Sequence, residues 1–223
     1  MKKMIGLLAA GLASVSLYAA NDAVKRLETA AVVLDEIMAA PDKGIPQDLF
    51  NKAACVIIVP GLKKGAFIIG GKYGKGFIEC RKTEGGPWSA PAAVRVEGGS
   101  VGFQIGGSET DVVMLIMNRR GMDKLLSSKF TVGADAAAAA GPVGRESNAA
   151  TDAQMHAEIL SWSRARGVFL GISLEGATLR PDDNSNKDLY GKTYTNREIV
   201  TGNVRSPAAA AKLIEELRRY SGR

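Results

Sequence analysis

The sequence is poor in the side chains that build metal centres and disulfide frameworks. Its 223 residues include a single histidine, His156, and two cysteines, Cys55 and Cys80. One imidazole excludes a multi-histidine metal site. Two thiols are too few for a four-cysteine zinc site or a disulfide-dense miniature fold. We therefore expect no metal centre in this protein.

Long apolar runs are also scarce, and the most pronounced one lies at the N-terminus. Two lysines precede the uncharged segment 4–18, and two alanines follow it. This order predicts a secretory signal peptide over residues 1–19, with residues 20–223 forming one domain. The alternative is an uncleaved anchor, but about 15 apolar residues fall short of the roughly 20 that a spanning helix needs. We expect an exported protein, periplasmic or secreted, that can associate with a membrane.

Export leaves two alternatives for the cysteines. Disulfides persist in oxidising compartments, so Cys55 and Cys80 can form one bond. They can equally be two buried thiols that act as small hydrophobic residues. The sequence does not give the distance between their Cα atoms, so both alternatives stay open.

Glycine, in contrast, is abundant, at 26 of 223 residues, and half of these glycines fall between Gly61 and Gly107. Short runs rich in valine and isoleucine alternate there with glycine and proline, a pattern typical of strands and hairpins. The predicted strands are 54–59, 66–69, 76–80, 92–97, 101–105, 111–118, 159–162 and 167–176.

Helical periodicity flanks this region. The predicted helices are 22–39, a short turn after Pro46, 119–127 and a C-terminal helix with Ser206 as its N-cap. The alanines at 136–140, taken alone, also favour helix. Together the elements predict an α+β fold, with a glycine-rich, mostly antiparallel sheet or barrel-like core and flanking N- and C-terminal helices.

One segment carries the spacing of a hydrolase motif. Residues 98–102 read G-G-S-V-G, which matches G-x-S-x-G, but this chemistry needs Ser100 on a strand-to-helix turn with a histidine as base. The residues after Ser100 predict a strand instead. The glycines of segment 71–76 lack the spacing of phosphate-binding loops. We expect no catalytic residue, no enzyme activity and no cofactor.

Positive charge is concentrated in residues 52–82, where Glu79 is the one acidic residue. The predicted lipid-binding residues lie in this segment: Lys63, Lys64, Lys72, Lys75, Arg81 and Lys82. Each such side chain is attracted to an anionic membrane surface by about 1 kcal/mol. The alternative is a set of solvated hairpin ends, where lysine discourages edge-to-edge strand pairing. The excess charge is too modest to favour nucleic acid as a partner.

The order of short motifs along the chain resembles the SYLF lipid-binding domain family, which is related to the actin-binding domain of fungal actin-patch proteins. These motifs, over roughly residues 22–192, include CVIIVP at 55–60, WSAP at 88–91, GGSVGFQIGG at 98–107, GPVGR at 141–145 and GISLEG at 171–176. The resemblance implies a non-catalytic α+β domain. It also implies lipid binding, since eukaryotic members bind phosphoinositides and some bind and bundle actin.

The resemblance also bears on individual residues. The family's N-terminal helix is associated with membrane binding, but segment 21–40 carries more acidic than basic residues here. We therefore expect its apolar face to pack into the core, which leaves lipid contact to the basic hairpins. Trp88 and Trp162 match core or groove-rim positions. Arg145 and Arg164 match positions that either pair with a buried carboxylate or contact a headgroup.

These observations predict a non-catalytic, peripheral phospholipid-binding protein of the cell envelope. The alternative is a structural or interaction module of the envelope, actin-binding-like and without lipid specificity, whose glycine-rich face packs against a protein partner. The sequence leaves the oligomeric state open.

Overall fold

The fold was analysed in a computed structural model of the chain. The structure describes residues 22–40, 44–66, 69–101, 106–142, 156–165, 168–171 and 174–221. The signal peptide predicted for residues 1–19, Arg145 and most of the strand predicted at 101–105 lie outside these ranges.

Nine strands of the described chain form one sheet. They are β1 (Cys55–Ala66), β2 (Ile69–Cys80), β3 (Ala92–Val101), β4 (Gly106–Ile116), β5 (Phe130–Thr131), β6 (Ala138–Ala140), β7 (Ile159–Ala165), β8 (Val168–Gly171) and β9 (Thr178–Pro181). The order is β5-β9-β3-β2-β1-β4-β7-β6, with β8 paired to β7. Strand β4 returns beside β1 after the β1–β2–β3 meander, which is a Greek key. The β6–β7 pair is parallel and the others are antiparallel.

Helices flank the sheet at both ends of the chain, which confirms the predicted fold class. They are α1 (22–39), α2 (Gln47–Lys52), α3 (Arg119–Leu125), α4 (Asp183–Tyr190), α5 (Asn196–Thr201) and α6 (Ala211–Tyr220). No helix among the described residues is both long and apolar enough to span a membrane. Ser206 does not cap α6, because a short 3₁₀ turn at Ala208–Ala210 leads into that helix.

Both faces of the sheet are covered. On one face, α1, α2 and α6 pack a core that includes Leu27, Phe50, Trp162 and Leu213. On the other face, the sheet packs against α3, α5 and the loops around β5 and β9. Successive side chains of a strand point to opposite faces, so the unbroken apolar run at the start of β1 is required by burial on both sides. The prediction that the apolar face of α1 packs into the core is confirmed.

The prediction of a helix from the alanines at 136–140 is wrong, because Ala138–Ala140 form strand β6. This strand pairs in parallel with β7, where Ala138 lies opposite Ile159. The preference of alanine for helix is a fraction of a kcal/mol per residue. Pairing with a neighbouring strand and packing on the sheet outweigh it.

Glycine is needed where β1 bends. The pairing of β1 is irregular between Ile58 and Lys63, a segment that contains Pro60. There the backbone of β1 lies against Gly76 of β2, and a Cβ atom at Gly76 would be 2.0 Å from the carbonyl oxygen of Ile58. At Gly65, further along β1, an added Cβ would contact nothing within 4 Å.

We predict that Gly76→Ala lowers the free energy of unfolding by about 1–3 kcal/mol, because the methyl group displaces the β1 backbone. The matched variant Gly65→Ala should stay within about 0.5 kcal/mol of the unmodified protein. Urea denaturation of both variants measures this difference. Equal stabilities would show that the backbone at Gly76 can move freely.

The carboxyl group of Glu79 lies inside the fold. Glu79 of β2 is fully buried, and within the described chain neither of its carboxyl oxygens has a hydrogen-bond partner. Burial raises the pKa of Glu79 to about 8, because the interior disfavours the charged form.

This burial makes stability depend on pH. The unfolded chain loses the Glu79 proton near pH 4.5, whereas the folded chain keeps it up to about pH 8. Over that range the free energy of unfolding should fall by about 1.4 kcal/mol per pH unit from this group alone, and it should level off above pH 8.

We predict that Glu79→Gln removes this slope and raises the free energy of unfolding at pH 8 by roughly 3–5 kcal/mol. Urea denaturation across the pH range measures the effect. Glu215→Gln, at an exposed position of α6, is the control and should keep the slope. An unchanged slope in Glu79→Gln would show that this carboxyl group is hydrated.

Candidate functional site

Three of the six predicted lipid-binding residues lie near the end of the β1–β2 hairpin, Lys64 and Lys72 on one face of the sheet and Lys63 on the other. Lys64 lies directly opposite Lys72, and Lys63 lies opposite Tyr73. We call Lys63, Lys64 and Lys72 the lysine tip. Tyr73 shares the face of Lys63 and is 49% exposed, so an aromatic ring lies at the surface beside that lysine.

Among the described residues, no ion pair balances the charges of the lysine tip. In the part of the chain that the structure describes, no carboxylate forms an ion pair with any of the three ammonium groups. Glu109 of β4 lies opposite Lys63 across the sheet, without forming an ion pair with it. Partial burial, and then the neighbouring charge of Lys72, lower the pKa of Lys64. Like charges directly opposite on a sheet repel, so an added anion would relieve this pair.

A row of glycines crosses the sheet next to the lysine tip. Gly99, Gly71, Gly65 and Gly107 are consecutive cross-strand partners on β3, β2, β1 and β4. An added Cβ at Gly65 or Gly99 would meet nothing within 4 Å, so the packing of the described chain does not require glycine at these two positions. The row leaves a stripe of backbone without side chains.

Lys75 lies on the same strand but belongs to a structural ion pair. Its Nζ atom is 2.8 Å from Oδ2 of Asp182, whose side chain is 3% exposed. Burial alone would raise the pKa of Asp182, but hydrogen bonds from Lys75 and Ser185 outweigh it and hold this pKa below its ordinary value. The same carboxylate caps α4. Lys75 therefore secures α4 to the sheet.

Arg81 and Lys82 lie at the far end of β2, about 30 Å along the strand from Lys72 at 3.3 Å per residue. Arg81 is 4% exposed and donates to the carbonyl oxygen of Gly86 and to Oγ of Ser221. Its guanidinium carbon is 4.1 Å from the ring centre of Trp88. Lys82 donates to Oδ1 of Asn203. The structure thus places three of the six predicted residues near the tip of the hairpin, Lys75 in the middle of β2, and Arg81 and Lys82 at the opposite end.

The residues singled out by the family resemblance are structural where the structure describes them. Arg164 donates to Oδ2 of Asp111 at 2.8 Å and also pairs with Glu36 of α1. The two tryptophans are buried in the core beneath the helices. Their indole nitrogens are paired, Trp88 with the carbonyl oxygen of Leu217 and Trp162 with that of Pro142.

The cysteines lie opposite each other in the first pair of the β1–β2 ladder. The structure joins Cys55 and Cys80 by a disulfide, with their Cα atoms 4.0 Å apart. The bond closes the hairpin at the end opposite the lysine tip.

The sequence of this chain matches a known protein family. Residues 97–220, more than half of the chain, match the family described as Ysc84, Las17-binding protein actin regulator. The chain belongs to this family. The Ysc84 or SYLF domain is known for lipid and actin binding and is generally non-catalytic, so the resemblance noted from the motifs is confirmed.

Similar proteins of the Ysc84 family come from fungi and vertebrates. The chain is 35% identical over 176 residues to an SH3 domain-containing protein of Schizosaccharomyces pombe, covering 78% of this chain and 40% of that protein. It is 33% identical over 180 residues to LAS seventeen-binding protein 3 of Saccharomyces cerevisiae, covering 79% and 39%. It is 31% identical over 182 residues to SH3 domain-containing YSC84-like protein 1 of Rattus norvegicus, covering 81% and 53%. The chain therefore spans about half, or less, of the length of these relatives.

The separate roles of Lys75 and Lys72 in this Ysc84-family domain can be tested. We predict that Lys75→Gln lowers the free energy of unfolding at neutral pH by about 1–2 kcal/mol, because the buried Asp182 loses its charged partner. Lys72→Gln should stay within about 0.5 kcal/mol, because it removes only a repulsive neighbour of Lys64. Chemical denaturation at neutral pH compares the two.

The pH dependence of the Lys75 effect has a defined sign. Because the folded pKa of Asp182 is depressed, its contribution is present above its ordinary pKa of 3.8 and is lost as the pH falls through the folded value. The difference between Lys75→Gln and the unmodified protein should therefore shrink in acid. A difference that is independent of pH would show that Lys75 acts through packing alone.

Proposed function

We propose that this protein is a peripheral membrane protein whose lysine tip binds anionic phospholipid headgroups. The observation that carries the proposal is the pair Lys64 and Lys72, which are directly opposite and lack a carboxylate partner among the described residues. A phosphate group between them would replace a repulsive contact with two charge-assisted hydrogen bonds.

Tyr73 supports a membrane as the source of that phosphate. Its ring is exposed beside Lys63, on the face of the hairpin opposite Lys64 and Lys72, and tyrosine is favoured at membrane interfaces because its ring is apolar and its hydroxyl is polar. The three lysines supply long-range attraction, which salt screens over about 10 Å at 0.1 M ionic strength. The ring supplies a short-range, salt-resistant contact.

Export of the protein belongs to the same proposal. The apolar segment that follows Lys2 and Lys3 supports a leader over residues 1–19. The Cys55–Cys80 disulfide also supports an oxidising compartment. In such a compartment, the anionic surface available to the lysine tip is a membrane face exposed to that compartment.

A second candidate function is protein binding by the glycine row. The family description names actin regulation, and the backbone between Gly65 and Gly99 is accessible to an incoming surface. Contact through that row would depend on shape, so we expect it to be insensitive to salt. Cosedimentation with actin filaments at high ionic strength is the direct test of this alternative.

The lipid proposal is tested by flotation with vesicles. We expect the purified protein to float with vesicles that contain phosphatidylglycerol or cardiolipin, and not with vesicles of phosphatidylcholine alone. Raising the salt concentration should release it. Replacing all three residues of the lysine tip by glutamate should abolish flotation, because the tip then carries the sign of the surface.

The matched control replaces three exposed basic residues elsewhere, Lys192, Arg205 and Lys212, by glutamate, which gives the same change in net charge. We expect this variant to keep most of its vesicle binding. Equal loss in both variants would assign the effect to net charge. Absence of flotation with any vesicle would overturn the lipid proposal and leave protein binding as the function to pursue.

A further inference from the structure

A cavity of 280 Å³ lies at the end of the sheet opposite the lysine tip. It is enclosed by the C-terminal end of α2, the turn that follows β2 and the first residue of α3. Its polar lining consists of Lys52, Arg81, Thr83, Glu84, Asn118 and Arg119. The basic residues come from separate elements, so their convergence is a product of the fold.

The base of this cavity is well fixed. The N–H of Arg81 donates to the carbonyl oxygen of Ala54 at 2.8 Å, and the N–H of Ala54 donates to that of Ile116 at 2.7 Å. These bonds join the ends of β1, β2 and β4. The Cys55–Cys80 disulfide lies immediately beside them. The basic side chains are therefore presented from a rigid frame, which lowers the entropic cost of binding a ligand.

The charge of the cavity is positive. Lys52, Arg81 and Arg119 line it against the single carboxylate of Glu84. The guanidinium of Arg81 is buried and donates to Gly86 and Ser221, so Lys52 and Arg119 are the basic groups of the lining that are exposed to a ligand. Arg119 donates to the carbonyl oxygen of Lys82, which is a neutral acceptor. The Nζ atom of Lys52 lies 3.8 Å from Oδ2 of Asp48, with the lysine side chain 70% exposed, so this ion pair is weak.

We propose that this cavity binds a phosphomonoester group. A phosphomonoester carries close to two negative charges at neutral pH, and the two exposed cations Lys52 and Arg119 can balance them. Guanidinium groups bind phosphate oxygens through paired N–H donors, and the hydroxyl of Thr83 adds a neutral donor. The volume lies just below the usual range for ligand pockets, so it suits a phosphate attached to a small polyol.

This site is separate from the lysine tip, because the two lie at opposite ends of β2. The same chemical group occurs in free glycerol 3-phosphate and in the headgroup of phosphatidic acid. The cavity recognises the group in either form, and the two sources are distinguished by experiment.

The first experiment is calorimetric titration of the purified protein with glycerol 3-phosphate. We expect saturable binding with a dissociation constant of about 1 mM or lower. Replacing both Lys52 and Arg119 by glutamine should weaken it at least about tenfold, the effect of losing charge-assisted hydrogen bonds. Both side chains are exposed, so the variant should retain the melting temperature of the unmodified protein.

Arg205→Gln, at an exposed position outside the cavity, is the control and should bind with unchanged affinity. A titration without saturable binding up to about 10 mM would overturn the proposal. An affinity that is the same in the Lys52 and Arg119 double variant as in the control would overturn it as well.

The second experiment separates the sources and is independent of the proposed function. Vesicles containing phosphatidic acid are floated with protein whose lysine tip has been replaced by glutamate. If this protein floats, and flotation is lost when Lys52 and Arg119 are also replaced by glutamine, the ligand of the cavity is a lipid headgroup. If the protein does not float but still binds glycerol 3-phosphate, the ligand of the cavity is a free phosphomonoester. Flotation that does not depend on Lys52 and Arg119 would overturn a lipid ligand in the cavity.

Discussion

The structure depends on the pairing of β1 with β2 on one side and with β4 on the other. Because helices cover one face of this sheet and loops and short helices cover the other, the start of β1 is apolar at every position, Cys55 to Val59. This double burial fixes the register of the three strands along Cys55–Ile58. The lysine tip and the proposed phosphomonoester site lie at the two opposite ends of these strands, so the same pairing sets their positions.

Much of this arrangement could be predicted from local pattern. Helix α1 follows from its three-to-four spacing, and the apolar face of α6 follows from Leu213 and Leu217. The presence of several short strands follows from the runs of valine and isoleucine that glycine separates. The strand Ala138–Ala140 could not be predicted, because it exists only beside β7, which lies about twenty residues further along the chain. The partners of an edge strand are a property of the assembled sheet.

The candidate site was predicted less completely, for a related reason. Net charge along residues 52–82 showed that basic side chains cluster, but not which of them are already paired. Lys75 is bound to Asp182, a residue more than a hundred positions away, and Arg81 stacks on Trp88 inside the fold. Lys52 and Arg119 lie far apart in sequence and meet only at the cavity. Long-range contacts decide which charges remain available to a ligand.

The position of the disulfide has a consequence for the integrity of the chain. Cys55 and Cys80 enclose the whole β1–β2 hairpin, at a sequence separation of 25, so the backbone between them is a covalent ring. If a protease cuts this ring once, at the exposed Lys63, neither fragment is released. β1 remains paired to β4 and β2 to β3. Such a cut would be invisible in a non-reducing gel and would appear as two fragments after reduction.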